Sequence, residues 1–162
     1  MIQAKRNIII TSVLLILIVT EATAQKQGQA LIDSLQSELA KAKEDTIKVK
    51  LLNQLGRASM YMGEYQKSIE YCTRALPLAE KTKFKKGTGF AYLVMTISAT
   101  NMGNFSDALK YGNASLSICL ELNDKELLGA IYIDISNVYQ QIGNYPEALK
   151  MLLAALKLNE ET

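Results

Sequence analysis

Apolar side chains recur along this chain at alternating steps of three and four, the spacing that lines one face of an α-helix. Leu31, Ile32, Leu35, Leu39 and Ala42 form such a stripe over Gln29–Lys43, with no glycine or proline to interrupt it. A second stripe, Val49, Leu52, Leu55, Ala58 and Met62, follows Asp45, whose carboxylate suits the cap of a helix running to Gly63. A third helix is predicted from near Glu64, with Tyr65, Ile69, Cys72, Ala75, Leu76 and Ala79 on one face. The last two make an antiparallel hairpin with a very short turn. Pro77 lacks an amide hydrogen and crowds the carbonyl of Thr73, which predicts a kink or an early end there. The basic stretch Lys81–Gly87 then reads as a solvated loop.

The plan repeats. A helix from about Thr88 to Met102 turns at Gly103 into one from Phe105 to about Leu122, and a third hairpin covers Lys125–Ile142 and Tyr145–Asn159. Asn104 with Asp107, and Asn144 with Glu147, supply a cap and an acidic first turn, and Pro146 stands at a helix start where its missing hydrogen costs nothing. Gly112 replaces the larger Cys72 and Leu152 at the equivalent point of its helix. It costs about 1 kcal/mol of helix propensity, so a neighbouring helix is expected to approach closely there.

Aligning the hairpins puts Gly63, Gly103 and Gly143 at intervals of 40 residues, with Tyr65, Phe105 and Tyr145, and the small residues Ser68, Ala108 and Ala148, in step. A fixed period of this length marks a repeat architecture. The fold class expected is all-α, an α-solenoid of antiparallel helical hairpins: three units preceded by one N-terminal helix. The apolar face of Leu152, Ala155 and Leu156 has no polar closing helix after it, as terminal repeats normally need. Either a longer chain or another subunit is expected to cover it.

Composition narrows the chemistry. The chain has 162 residues, 49% of them hydrophobic, and a formal charge of +2, a balance with no nucleic-acid footprint. It contains no histidine, so it carries neither a Ser-His-Asp or Cys-His constellation nor a histidine metal ligand. No catalytic group, cofactor site or metal site is expected. Tyr71 and Tyr111 recur with the repeat and read as structural. Cys72 and Cys119 lie inside helices and read as small buried apolar residues.

The first 24 residues are different in kind. Lys5 and Arg6 precede the apolar run Ile8–Val19, which ends in Ala22-Thr23-Ala24, the layout of a secretory signal peptide. A run of about 12 is short of the roughly 20 residues that span a bilayer, which leaves an uncleaved N-terminal anchor as the alternative. The expected organisation is 1–24 signal peptide, 25–44 N-terminal helix, and repeats at 45–84, 85–124 and 125–162. The expected destination is the periplasm or cell envelope, with membrane contact only through the signal segment or a region outside these residues.

The repeat resembles the tetratricopeptide repeat, in which a helix A with a bulky residue, leucine and a small residue leads through a Gly-x-aromatic turn into helix B. Leu52, Leu55, Gly56, Gly63, Tyr65, Ser68 and Ala75 stand at those places in the first hairpin, and Tyr132, Ile135, Ser136, Tyr139, Gly143, Tyr145, Ala148, Ala155 and Leu156 in the third. The second supplies Tyr92, Met95, Gly103, Phe105, Ala108 and Leu116. The usual period is about 34 residues, so each unit here is longer. That length is shared with HEAT and armadillo arrays, which lack this turn. Such long units are similar to the exported N-terminal regions of bacterial sensor histidine kinases and related regulators.

The resemblance implies a right-handed superhelix whose concave face is lined by the A helices and binds a protein or peptide. By register, the candidate partner-binding residues are Lys50, Asn53, Arg57, Met60, Asn101, Asn137, Gln140 and Gln141, with Leu93, Ile97 and Ile133 between them. Amide side chains beside apolar ones suit the backbone of an extended segment or a partner helix. Tetratricopeptide proteins that hold acidic peptide tails place lysine, arginine and asparagine at five helix A positions, which here carry Asn53, Arg57, Val94, Ala130 and Asp134. No such clamp is expected. The function implied is a non-enzymatic interaction module. The alternatives are the sensing part of a larger signalling protein, and a subunit that self-associates through its C-terminal repeat.

Overall fold

The computed structural model describes residues 25–160. The signal segment and its alternative as an anchor lie outside those residues. Seven helices follow one another: α1 (25–41), α2 (Thr46–Tyr61), α3 (Tyr65–Lys81), α4 (Lys85–Asn101), α5 (Phe105–Leu122), α6 (Lys125–Gln141) and α7 (Tyr145–Glu160). They pack as antiparallel hairpins α2–α3, α4–α5 and α6–α7, in an all-α tetratricopeptide-like solenoid.

Every connection from α2 onward is one backbone motif. Gly63, Gly103 and Gly143 have φ of +75°, +76° and +77°, and Lys83 and Asn123 occupy the same left-handed region at 55° and 50°. At the first turn Gly63 N–H donates to the Met60 carbonyl (3.0 Å) and Glu64 N–H to that of Ser59 (2.8 Å). The other four turns repeat the pattern, for instance Phe84 N–H to Ala79 (2.8 Å) and Asn144 N–H to Tyr139 (2.8 Å). This Schellman arrangement satisfies the last carbonyls of one helix while reversing the chain.

The shared motif corrects the reading of the basic stretch. Only 82–84 connects α3 to α4, and Lys85, Lys86 and Gly87 already belong to α4, where Thr88 N–H donates to the Phe84 carbonyl (3.2 Å). Gly87 and Gly89 are buried at that helix start, with Phe84, Val49 and Ile118 packed where a Cβ would stand. Pro77 does not end α3 early, since the helix continues to Lys81. The exposed proline is flanked by Ala75 and Ala79, whose burial (0% and 1% exposed) holds the helix across the missing bond. Asn104 makes no side-chain cap bond, whereas Asp45 caps α2 through Ile47 and Lys48 N–H, and Asn144 accepts from Glu147 N–H at 3.5 Å.

The expected small positions are where helices cross. Ser68, Ala108 and Ala148 are buried, and the Ser68 and Ser98 hydroxyls hydrogen-bond at 2.9 Å. Gly112 has Ile135 Cγ1 2.8 Å from where its Cβ would be, the close approach anticipated for that glycine. Along the stack, α2 touches α4 and α4 touches α6, while α3 and α5, and α5 and α7, do not meet. The A helices therefore lie on the inner side and the B helices splay outward. α1 continues this at the other end, burying Ile32 and Leu35 against Leu51, Leu55 and Ala58.

At α7 the pattern breaks off. Tyr65 and Phe105 pack against the core, but their counterpart Tyr145 is 68% exposed, and Leu149, Leu152, Leu153 and Leu156 are exposed with it.

The turn motif is testable by exchange. Gly103→Ala is expected to lower unfolding stability by about 1–2 kcal/mol, because a Cβ is disfavoured at positive φ. Lys83→Gly is expected to raise it by up to about 1 kcal/mol for the same reason. Urea unfolding followed by circular dichroism measures both, and equal signs would refute the motif.

Candidate functional site

Positions i, i+3, i+4 and i+7 of α2 place Lys50, Asn53, Gln54 and Arg57 on one face, opposite the start of α4. With Phe84, Lys86, Gly87 and Phe90 they line an open cavity of about 420 Å³ on the inner side. That volume falls within the roughly 300–1,000 Å³ of small-ligand and peptide-anchor pockets. Asn53 is buried and donates from Nδ2 to the Gly87 carbonyl (2.8 Å), tying α2 to α4, while its Oδ1 is buried with no partner among the described residues. Lys50 Nζ stands 5.7 Å from the centre of the Phe84 ring, and the Arg57 guanidinium 5.7 Å from that of Phe90. Cations so placed are attracted to the ring faces. Neither has a carboxylate partner among the described residues. Lys86 is engaged, 2.7 Å from Asp124, and that ammonium holds the Asp124 carboxyl below the usual carboxylate range.

One step along the stack, α4 and α6 enclose a second, smaller cavity of about 210 Å³, lined by Ile97, Thr100, Asn101, Asp134, Asn137, Gln140 and Gln141. Its polar side chains are partly used: Asn101 Nδ2 donates to the Ile97 carbonyl (2.8 Å) and Gln140 Nε2 to Ser136 Oγ (3.4 Å). The amide oxygens of both remain open in these bonds. Burial pushes the Asp134 carboxyl up to about 7, with no neighbouring charge to offset it.

The candidate partner residues thus separate into two groups. Lys50, Asn53 and Arg57 share the α2–α4 cavity, and Asn101, Asn137, Gln140 and Gln141 share the α4–α6 cavity. Met60 and Leu93 do not belong with them. Each is only 7% exposed and lies in the core, because the inner side of an A helix is narrower than the register suggests. Phe84, Phe90 and Asp134 were missed as site residues. Phe84 lies inside the basic stretch that reads as a loop and Phe90 just beyond it, and only the true start of α4 brings them over α2.

A wider groove of about 880 Å³ lies on the outer side between α3, α4 and α5, floored by Leu76, Ala79, Tyr92 and Ile118. Its rim carries the Lys85–Glu121 ion pair. No buried unpartnered polar atom lies in it among the described residues.

The remaining reactive groups have structural surroundings. Cys72 and Cys119 are free and fully buried, and burial pushes the Cys72 thiol up to about 12, which suppresses its thiolate. Tyr71 OH accepts from Gln36 Nε2 (2.8 Å), joining α3 to α1, and Tyr111 stacks on Tyr92 with ring centres 6.3 Å apart. Among the described residues there is no cluster of three or more metal-ligating side chains, and no helix is long and apolar enough to cross a membrane.

Two family models, each described as tetratricopeptide repeat, match residues 51–86 and 97–161, together more than half of the sequence. No curated protein matches the chain. Among solved structures, the TPR domain of Arabidopsis FLU is similar at a TM-score of 0.65 and 19% identity, over 70% of this chain and 96% of that one. The apo form of RapI is similar at 0.71 and 21% identity, over 84% of this chain and 39% of that one, so this chain spans well under half of RapI. Likeness at these identities concerns the fold.

The Asp134 environment has a signature in stability. The folded protein holds a proton on Asp134 that the unfolded chain releases near the ordinary value of 3.8, so this group's contribution falls as pH rises from there to about 7. Asp134→Asn is expected to be more stable than the wild type at pH 8, with the difference closing toward pH 4. Thermal melts across that range check it, and a constant difference would contradict it.

Proposed function

We propose that this chain, which belongs to the tetratricopeptide-repeat proteins, is an interaction module that holds a peptide or protein segment on the inner side of its solenoid. Such domains generally mediate protein–protein interaction and are typically non-catalytic. The observation that carries the reading is the α2–α4 cavity, where Lys50 and Arg57 stand over two phenylalanine rings without carboxylate partners. Its apolar floor suits one large side chain of the segment, and the two cations suit an acidic group next to it. Asn53 fixes the floor by joining the two helices, which is a positioning role.

The N-terminal segment supports export, so the partner is one met in the periplasm or cell envelope. A place as the sensing part of a larger signalling protein fits that setting. Exposed Leu149, Leu152 and Leu156 of α7 support a second reading, assembly between copies, because their counterparts Ile69, Cys72 and Leu76 on α3, and Leu109, Gly112 and Leu116 on α5, are covered where the next A helix packs.

A random peptide library panned on the protein is expected to enrich segments with an acidic residue beside a large apolar one. Lys50→Glu with Arg57→Glu is expected to lower affinity for the enriched peptide by at least tenfold, roughly 1.4 kcal/mol, in calorimetry. Unchanged binding by that charge-reversed variant would end the reading. For the export and assembly readings, protein recovered from the envelope is expected to begin at Gln25 in mass spectrometry. Light scattering that depends on concentration, and loses that dependence in Leu149→Lys with Leu153→Lys, separates assembly from a monomeric module.

A further inference from the structure

Among the described residues Asp134 is the only ionisable side chain lining the α4–α6 cavity. From α4 that cavity receives Ile97, Thr100 and Asn101, from α6 itself the amides of Asn137, Gln140 and Gln141, and from α5 and α7 nothing. The carboxylate has no ion pair or hydrogen bond among the described residues, although it is partly buried. A half-buried charge without a partner loses part of its hydration and is favoured by an opposite charge brought beside it. Asn101 and Gln140 each commit one amide N–H to a hydrogen bond within the fold, which leaves their amide oxygens as acceptors beside the carboxylate. One carboxylate with neutral amide oxygens falls short of a calcium site, which takes six to eight oxygen ligands, and of a magnesium site, where substrate phosphates usually supplement one or two carboxylates. It matches an organic cation, whose few N–H donors need one charge and two or three acceptors. At about 210 Å³ the space suits a side-chain end and is below the size of a whole small-molecule pocket.

We infer that the α4–α6 cavity is a second subsite that receives the ammonium or guanidinium group of a basic side chain, with Asp134 as its counter-ion. This rests on the reading of the inner side as a peptide surface, and it adds a direction to the ligand. The α2–α4 cavity meets α4 at Lys86–Phe90 and the α4–α6 cavity meets it at Ile97–Asn101, about 17 Å further along the axis at 1.5 Å per residue, and adjacent A helices stand about 8–10 Å apart, so extended chain covers the distance in about six residues. A segment with its acidic and apolar residues over α2–α4 therefore carries its basic residue about six positions away, over α4–α6.

Two arms test this. In the first, N-acetyl-lysine amide is titrated into the 162-residue chain while the side-chain amide signals of Asn101, Asn137, Gln140 and Gln141 are followed by NMR. Saturable shifts are expected at pH 8, with N-acetyl-norleucine amide producing none. Binding is expected to be at least about tenfold weaker at pH 5, where Asp134 is protonated. Asp134→Asn, equal in size and expected to fold at least as well, is to lose about tenfold or more at pH 8. Shifts that are absent, that survive in Asp134→Asn, or that norleucine reproduces would overturn the assignment. In the second arm, the peptide enriched through the α2–α4 cavity is measured against Asp134→Asn. If it binds both proteins equally, the inner side still holds a peptide and only the subsite fails.

Discussion

The left-handed residue that closes each helix from α2 to α6 sets the rest of the described structure. It recurs at 63, 83, 103, 123 and 143, once every 20 residues, so α2 to α7 have nearly equal lengths and reverse direction through the same hydrogen bonds. Equal helices joined by equal turns can only stack in register. The same backbone motif joins the two helices of a unit and joins one unit to the next. The difference is chemical: glycine stands at the turns within units, and Lys83 and Asn123 at the turns between them. The between-unit turns therefore carry strain that the within-unit turns do not.

Register brings small residues to the crossings, and from that follows the curvature. Within the first hairpin Gly56 lies under Cys72, with Sγ 2.5 Å from where a glycine Cβ would be. A helices that pack on each other while B helices stay apart leave the inner side formed by α2, α4 and α6. Two cavities of opposite character then sit on it, at opposite ends of α4. The α2–α4 cavity is aromatic and basic, and the α4–α6 cavity is amide-lined and holds a single acid. A surface with both signs selects a ligand by the order of its charges as well as their number.

Much of the architecture was legible in the sequence, because the 3.6-residue stripes and the Gly-x-aromatic spacing depend only on local geometry. The helix pairs and the small positions at Ser68, Ala108 and Ala148 came from that source. The half-period was hidden, since lysine at 83 and asparagine at 123 announce a left-handed turn far more weakly than glycine does. Missing it moved the start of α4 by a turn and concealed Phe84 and Phe90. Pro77 misled for the opposite reason: its local penalty is real, but tertiary burial on both sides outweighed it. The inner-side polar residues were placed on the right helices. That they fall into two cavities depends on which side chains cross between helices, which no single stripe encodes.

Among the described residues the stack has no long-range closure, and each helix from α2 onward meets only helices one or two places away in the chain. Cohesion in such an array is a sum of adjacent contacts, so opening proceeds as fraying from an end and not as one event. α7 meets only α6, and four of its leucines are already in water. Among the described helices α7 therefore exchanges its amide hydrogens sooner than α3 and α5, which are each held on two sides. The amide-lined cavity lies against α6, one helix from that exposed face, and the aromatic cavity is bracketed by α1 on one side and α6 on the other. Whatever settles on α7, a continuing chain or a second copy, steadies the first cavity more than the second.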